Sequence, residues 1–316
     1  MEGLLLAAAA VIVTYNSENA VEQCLDALTK VASNITPIVV DNGSSDRTLK
    51  RVRARTGVQL ITNEENRGFA TAVNQGIRSS NAEFILLLNP DVSLLTSVDA
   101  LVDAARQHGL AAGKLVDRDG NPQAGFSIRR FPTAGALIFE ILGVNRLWRS
   151  NPVNRLYRYL DRNLDQPGDV EQPAGAFLMT RRDVWEELGG FDESFHPIWF
   201  EDVDYCRRAR SAGYRIAYLP GVIASHAGGH SIAQLPPGSR ALYWYVSLLR
   251  YAARHLPPFG YRAVCAAVVL SSVPRMIAGM IQAGSLTPVT AFWKMFRFAG
   301  LCLVSRGRSA ARRSDF

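Results

Sequence analysis

The chain has 316 residues, 48% hydrophobic and 20% charged, with a net charge of +7. That length suits about two domains or one α/β domain with an appendage, and the composition excludes a disordered or collagen-like chain. The cysteines, Cys24, Cys206, Cys265 and Cys302, form no C-x-x-C pair, which excludes a disulfide scaffold or a zinc ribbon and suits a reducing compartment.

The charge is uneven. From Arg240 onward there are ten arginines and one lysine against one acid, Asp315, which gives +10 and leaves 7 − 10 = −3 for residues 1–239. A basic stretch on a mildly acidic body points to an anionic surface, such as a membrane, as partner. No nucleic-acid-binding motif accompanies it, so no nucleic-acid partner is expected.

In chain order, the N-terminal apolar run to Val13 carries Glu2, lacks a basic leader and passes straight into Thr14-Tyr15-Asn16. It reads as a buried first strand rather than a signal peptide. Ser17 is expected to cap a helix running to about Val31, with Val21, Leu25 and Leu28 on one face. Pro37–Val40 and Val58–Ile61 read as short strands on either side of a helix containing Leu49 and Val52. Phe69–Arg78 reads as a helix, Phe84–Leu88 as a fully apolar strand, and Ser97–His108 as a helix. Apolar rather than alternating strands, spaced by helices, predict a mainly parallel sheet covered on both faces. Residues 117–172 are less regular, with a basic stretch at 146–162 around Trp148, Tyr157 and Tyr159 and an Arg129-Arg130 pair. Gln172-Pro173-Ala174-Gly175 precedes a strand at Ala176–Thr180, and a helix at Asp183–Leu188 stops at Gly189-Gly190. The apolar run Ala263–Ile281 holds Pro274 and Arg275. A central arginine costs about 2.5–3.5 kcal/mol on insertion scales, so this region reads as helices lying in or on a membrane interface, or as a packed helical subdomain.

Three polar clusters share one address. Asn16, Asp41 and Asn89/Asp91 each follow a predicted strand, and ligands bind at the carboxyl ends of strands in open α/β sheets. Asp41 can accept the N3–H of a uracil or thymine base, or can simply close an Asx turn. Asn89-Pro90-Asp91 offers an amide oxygen and a carboxylate to a hard divalent cation, or is a proline-assisted turn. His226, after an apolar strand, can add a nitrogen ligand or be structural. Gly228-Gly229 and His230 beside it form a polar loop. The acidic run Glu201-Asp202-Val203-Asp204 puts Glu201 and Asp204 on one helical face, with Arg208 one turn from Asp204. That is either a helix N-terminus favoured by the macrodipole or, behind the aromatic lead-in Phe195–Phe200, a sugar-facing pocket with a general base.

Taken together, several stretches resemble the family 2 glycosyltransferases with a GT-A fold, and within them the bacterial rhamnosyltransferase-like branch. They are Val11–Asn16, Val39–Asp46, Asn66–Ala70 with Asn74, Leu87–Asp91, Gly175–Phe177, Gly189–Asp192 and Phe200–Asp204, in the family's order over residues 10–230. The resemblance implies an α/β GT-A fold with a mixed, mainly parallel sheet, and a C-terminal helical membrane-associating region. It implies that Thr14, Tyr15, Asn16 and Asp41 bind the donor nucleoside, with Asn66 and Gly68 near the donor. Asn89 and Asp91 match the D-x-D motif, with Asn in place of its first Asp, and His226 completes a site for Mg2+ or Mn2+. Asp202 is then the base, with Glu201 beside it and Trp199 and Gly175 facing the acceptor.

The implied activity is inverting transfer of a sugar from a nucleotide-sugar, with dTDP-L-rhamnose as leading donor and UDP-galactofuranose or a UDP-hexose as alternatives. The implied acceptor is a saccharide or a polyprenyl-diphosphate-linked saccharide in cell-surface polysaccharide synthesis. A sugar-nucleotide pyrophosphorylase would need a Gly-rich loop where Thr14–Glu18 stands. A non-catalytic scaffold of transferase ancestry would not need Asp91, Asp202 and His226. The expected organisation is a catalytic domain, 1–239 (nucleotide-sugar half 1–116, acceptor half 117–239), followed by a basic helical region, 240–316. The expected location is the cytoplasmic face of the cell membrane. No oligomeric state follows from the residues.

Overall fold

The computed structural model describes residues 8–228, 236–283 and 287–304. The first residues of the N-terminal run, Gly229, His230 and the arginines beyond Val304 lie outside the described residues. The chain forms two compact units. The first holds residues 1–130, 162–193 and 201–231, and the second holds 131–161, 194–200 and 232–316.

Among the described residues the first unit holds eleven strands, β1 Ala8–Thr14, β2 Ile35–Asn42, β3 Gln59–Asn63, β4 Phe84–Leu88, β5 Val92–Leu94, β6 Gly109–Val116, β7 Ile128–Arg129, β8 Gly168–Asp169, β9 Gln172–Pro173, β10 Phe177–Arg181 and β11 Arg215–His226. Nine of them form one sheet in the order β3-β2-β1-β4-β10-β6-β11-β5, with β8 on β11, while β7 and β9 pair separately. The pairs β3–β2, β2–β1, β1–β4 and β6–β11 are parallel. Strand β10 runs antiparallel between β4 and β6. The sheet is therefore mixed, as expected.

Strand alternation sends successive side chains to opposite faces, and both faces are buried. Ala8, Ala10, Ile12, Val39, Phe84 and Leu86 pack with Val21, Leu25 and Leu28 of helix α1 (Val21–Val31). Helix α2 is Thr48–Arg53. Helix α3 (Phe69–Arg78) lies against β1 and β2, so close that a Cβ on Gly76 would sit 2.6 Å from Val11 Cγ1. Helix α4 (Asp99–His108) adds Leu101, Val102 and Ala105 to the α1 face. The apolar, non-alternating strands are thus explained by two-sided burial.

One detail of the expected start of α1 is corrected. Ser17 does not cap the helix with its side chain, because its hydroxyl is engaged by the Tyr15 N–H at 3.3 Å. Its carbonyl instead accepts from the Ala20 and Val21 N–H groups, and its own N–H donates to Thr48 Oγ1 at 2.7 Å.

The second unit is helical: α5 Ala134–Ile141, α6 Val144–Leu147 and α7 Pro152–Tyr157 come from its first segment. Two later helices of the first unit, α8 Arg182–Glu187 and α9 Glu201–Ser211, precede the long helices α10 Pro237–His255, α11 Pro258–Ala283 and α12 Thr287–Val304 of the second. The 24 residues Pro258–Ile281 of α11, mean hydropathy 1.8, are long and apolar enough to cross a membrane by length and composition. The run holds two charges, Arg262 and Arg275; Arg275 donates to the Ile141 carbonyl at 2.8 Å and lies over Tyr245. The outward residues Leu270, Val273, Ile277 and Ile281 are exposed and carry no charge.

Gly113 tests the packing at the centre of the sheet. A Cβ there would lie 2.3 Å from Phe177 Cε1 and 2.4 Å from the Val222 carbonyl oxygen, at the register shift of β11. Because one of these neighbours is backbone, Gly113→Ala is expected to cost about 1–3 kcal/mol, read as a lower urea midpoint. An unchanged midpoint would contradict this packing.

Candidate active site

The parallel strands β1, β2 and β4 end on one edge, and the polar clusters gather there. Asp41, at the end of β2, is fully buried. Its Oδ2 accepts from Thr14 Oγ1 at 2.9 Å and from Ser44 Oγ at 2.6 Å, and its Oδ1 accepts from the Ser44 N–H at 2.9 Å. The carboxylate thus ties β1 to the loop after β2. Asn16 extends the tie: its N–H donates to Ser44 Oγ and its Oδ1 accepts from the Ser45 N–H, both at 2.8 Å. This holds Asn16 at a positive φ of 47°, a region that Asn tolerates better than most residues. Thr14 is buried, while Tyr15 and Asn16 are half-buried.

Next to it, Asn42 donates to Asn66 Oδ1 at 2.9 Å and to the Gly68 carbonyl. Asn66 Oδ1 also accepts from the Gly68 N–H at 3.0 Å, and Gly68 opens α3 with φ 85°. Asn74, in α3, is saturated: it binds Phe191 through both backbone groups, Trp185 Nε1 and Glu193. It anchors the Gly189–Asp192 turn rather than facing a ligand.

At the end of β4, Asn89 and Asp91 are half-buried. The Asn89 N–H donates to the Ala176 carbonyl at 3.1 Å, joining this turn to the segment that leads into β10. His226, 4% exposed, ends β11 opposite Val92 of β5. Its Nε2 stands 3.6 Å from Asp91 Oδ1, and its Nδ1 lies 2.9 Å from Gln123 Oε1. An amide oxygen on Nδ1 places the proton there and leaves the Nε2 lone pair facing a carboxylate. Two electron-rich atoms at that spacing suit a cation between them. Burial lowers the imidazole's affinity for a proton and Asp91 opposes it. Among the described residues, no group of three or more His, Cys, Asp or Glu side chains gathers for a metal, so any remaining ligands are Asn89, substrate oxygens or water.

The acidic run forms the first turn of α9. Asp202 Oδ2 accepts from the Gly175 N–H at 2.9 Å and its Oδ1 from the Val203 N–H at 2.8 Å. Gly175 approaches so closely that a Cβ on it would lie 2.9 Å from Asp202 Cβ. Gln172 Nε2 is 3.4 Å from the same carboxylate. Burial raises the Asp202 carboxyl above its ordinary value, and the two N–H groups and Arg129 draw it back. Glu201 differs. It is buried, its Oε2 has no hydrogen-bond partner, and burial, then the charge of Asp202, pushes its carboxyl well above the carboxylate range. Of this adjacent pair Glu201 keeps the proton and Asp202 ionises more readily. Asp204 is committed to Arg208, which binds it at 2.7 Å and the Leu188 and Gly190 carbonyls besides.

The first unit therefore brings Thr14, Tyr15, Asn16, Asp41, Asn66, Gly68, Asn89, Asp91, Gly175, Glu201, Asp202 and His226 into one mixed-sheet body. Trp199 belongs to the second unit, with φ 81°. Gln123, Phe126 and Gln172 touch the site residues, yet they sit in or border an irregular stretch where no periodicity marks them.

Residues 9–189 match the family model described as Glycosyl transferase family 2. The chain belongs to that family. This glycosyltransferase is 30% identical over 264 residues to the N-acetylglucosaminyl-diphospho-decaprenol L-rhamnosyltransferase of Mycobacterium tuberculosis, spanning 78% of this chain and 84% of that one. It is 26% identical over 257 residues to the rhamnosyltransferase WbbL of Escherichia coli, spanning 77% and 92%. The expected GT-A fold is borne out by the mannosyltransferase PcManGT of Pyrobaculum calidifontis, solved with GDP-Man and Mn2+. The TM-score is 0.53 at 16% identity, over 94% of this glycosyltransferase and 86% of that chain.

Two outcomes follow from this geometry. Asp41→Ala leaves Thr14 and Ser44 without their acceptor, and hydrogen bonds to a charged group contribute about 1.5–3 kcal/mol, so chemical denaturation should show a loss of at least that size. Glu201, whose folded carboxyl is raised, favours folding fully below about pH 4.3, its unfolded value, and loses that contribution as pH rises toward the folded value. Glu201→Gln removes this titration. Its stability relative to wild type should therefore rise between pH 4 and 8 in urea melts, and a constant difference would contradict a buried neutral Glu201.

Proposed function

We propose that the enzyme transfers a sugar, with inversion, from a nucleotide-sugar to a hydroxyl of a saccharide acceptor, and that Asp202 is the base. The observation that carries this reading is the pairing of a fixed carboxylate with the Asn89–Asp91 turn through adjacent residues, Gly175 and Ala176. In this account Asp202 takes the proton of the acceptor hydroxyl as its oxygen attacks the anomeric carbon, while the bond to the nucleoside diphosphate breaks. Glu201, held neutral, leaves the negative charge of the pair on Asp202. Thr14, Tyr15, Asn16 and Asp41 shape the nucleoside end, with Asp41 acting through the Ser44 loop that it holds, and Asn66 and Gly68 border the donor. Asp91, Asn89 and His226 would hold a divalent cation, Mg2+ or Mn2+, which would neutralise charge on the departing diphosphate.

dTDP-L-rhamnose is the donor favoured by the two rhamnosyl-transferring relatives, and a polyprenyl-diphosphate-linked saccharide is the acceptor favoured by the printed name of the mycobacterial one. The setting is then the cytoplasmic face of the cell membrane during surface-polysaccharide synthesis. The exposed apolar residues Leu270, Val273, Ile277 and Ile281 of α11, the exposed Leu147 and Trp148 beside Arg146 and Arg149, and the +10 charge from Arg240 onward all support contact with an anionic bilayer.

Asp202→Asn is nearly isosteric. It should lower kcat by about 10²–10⁴-fold while nucleotide affinity and melting temperature stay near wild type. Retention of more than about a tenth of kcat would remove Asp202 from the role. Transfer should stop in EDTA and in Asp91→Ala and survive in Asn89→Asp. A donor screen should favour dTDP-rhamnose, and preference for UDP-galactofuranose or a UDP-hexose would replace it as donor. Vesicle cosedimentation should need anionic lipid and weaken with salt, and binding indifferent to lipid charge would contradict the electrostatic part of the membrane reading.

A further inference from the structure

Beyond the effect of its charge on Asp202, Arg129 has no role in the mechanism above, and its guanidinium is held by its neighbours. Its Nε donates to the Gly125 carbonyl at 2.8 Å. Its Cζ lies over the Phe126 ring, 5.5 Å from the centroid. The same ring stacks on His226 with centroids 4.9 Å apart and an interplanar angle of 15°, and His226 faces Asp91. On the other side, Arg129 pairs in the β7–β9 ladder with Gln172, whose amide nitrogen is 3.4 Å from the Asp202 carboxylate. Arg129 is therefore linked through Phe126 to the Asp91–His226 pair and through Gln172 to the base. Its neighbour Arg130 is matched with Glu171. Among the described residues, no carboxylate lies within ion-pair distance of Arg129, and its two Nη atoms donate to no protein acceptor.

Asp202 acts on this half-buried guanidinium only from beyond ion-pair distance, so an anion that reached its Nη groups would be bound favourably. With Nε tied and Cζ resting over an aromatic ring, the two Nη groups form a fork of the kind that binds phosphate oxygens in parallel. The reaction proposed above presents two such groups, the diphosphate that leaves the donor and the diphosphate of a lipid-linked acceptor. Resting on that reading, we propose that Arg129 binds diphosphate oxygens at this edge.

The test compares ligands within each variant, so that a partly folded sample does not mislead. Wild type, Arg129→Met and Arg129→Lys are titrated calorimetrically with dTDP and thymidine. Each is also assayed with a polyprenyl-diphosphate-linked saccharide and with the same saccharide as an alkyl glycoside. If the donor supplies the diphosphate, Arg129→Met should weaken dTDP about tenfold or more while thymidine is unchanged. If the acceptor supplies it, KM for the diphosphate acceptor should rise by that factor while that for the alkyl glycoside does not. Arg129→Lys, which keeps charge but not the fork, should fall between. Equal behaviour of both ligand pairs in Arg129→Met, with wild type active, would overturn the assignment and leave the transferase reading intact. Wild type that transfers no sugar from any donor would overturn the transferase reading and this inference with it.

Discussion

The Asp202 carboxylate is held by a backbone N–H that a side chain at Gly175 would push away. The 2.9 Å bond from Gly175 exists because that residue has no Cβ to meet Asp202. This contact joins the first turn of α9 to the segment entering β10, the antiparallel strand in the middle of the sheet. The next residue, Ala176, accepts from Asn89. One two-residue turn thus sets the base and the cation-suited turn against each other, and both positions are fixed by backbone bonds rather than by flexible side chains. The electrostatics follow from the same contact. Burial raises both carboxyls of the Glu201–Asp202 pair, but Asp202 receives two N–H donors and Glu201 Oε2 receives none, so the proton goes to Glu201.

The nucleoside end is built by the same economy. Asp41, Asn42 and Asn66 spend most of their hydrogen bonds on the chain itself, closing the loops after β2 and β3. That makes the strand-end edge rigid before any ligand arrives, and preorganisation of this kind lowers the ordering cost of binding. It also moves the role of Asp41 from direct contact with a base toward support of the Ser44 loop, since its carboxylate is buried and already accepts three hydrogen bonds.

Much of this was legible in the residues. α3 and β4 fall on the expected bounds, because Gly68 and the run Phe84–Leu88 mark them sharply. The strand-end address of Asn16, Asp41 and Asn89 follows from apolar strands that must be covered on both faces. The Asp204–Arg208 pair follows from helical spacing. Other features were not legible. β11 runs from Arg215 through Pro220 and a register shift to His226, far longer than the short apolar run before His226 indicates, because parallel pairing with β6 overrides its mixed local pattern. Ser17 has the right residue type for a cap, but its hydroxyl is taken by Tyr15. The unpartnered Glu201 oxygen and the Arg129–Phe126–His226 stack come from tertiary contacts between segments far apart in sequence, which no local pattern encodes. The second unit gathers 131–161 and 194–200 with the C-terminal helices, a grouping that a single boundary near residue 239 does not anticipate.

Gly175 acts on the reaction through Asp202, and a double-mutant cycle measures that directly. kcat is compared for wild type, Gly175→Ala, Asp202→Asn and the pair together, with nucleotide affinity as the control. Gly175→Ala should lower kcat with nucleotide affinity kept, and the double variant should be no slower than Asp202→Asn alone, because the first change acts only by displacing a group that the second has already disabled. Losses that multiply in the double variant would show that Gly175 and Asp202 contribute independently, and would contradict the claim that this contact builds the site.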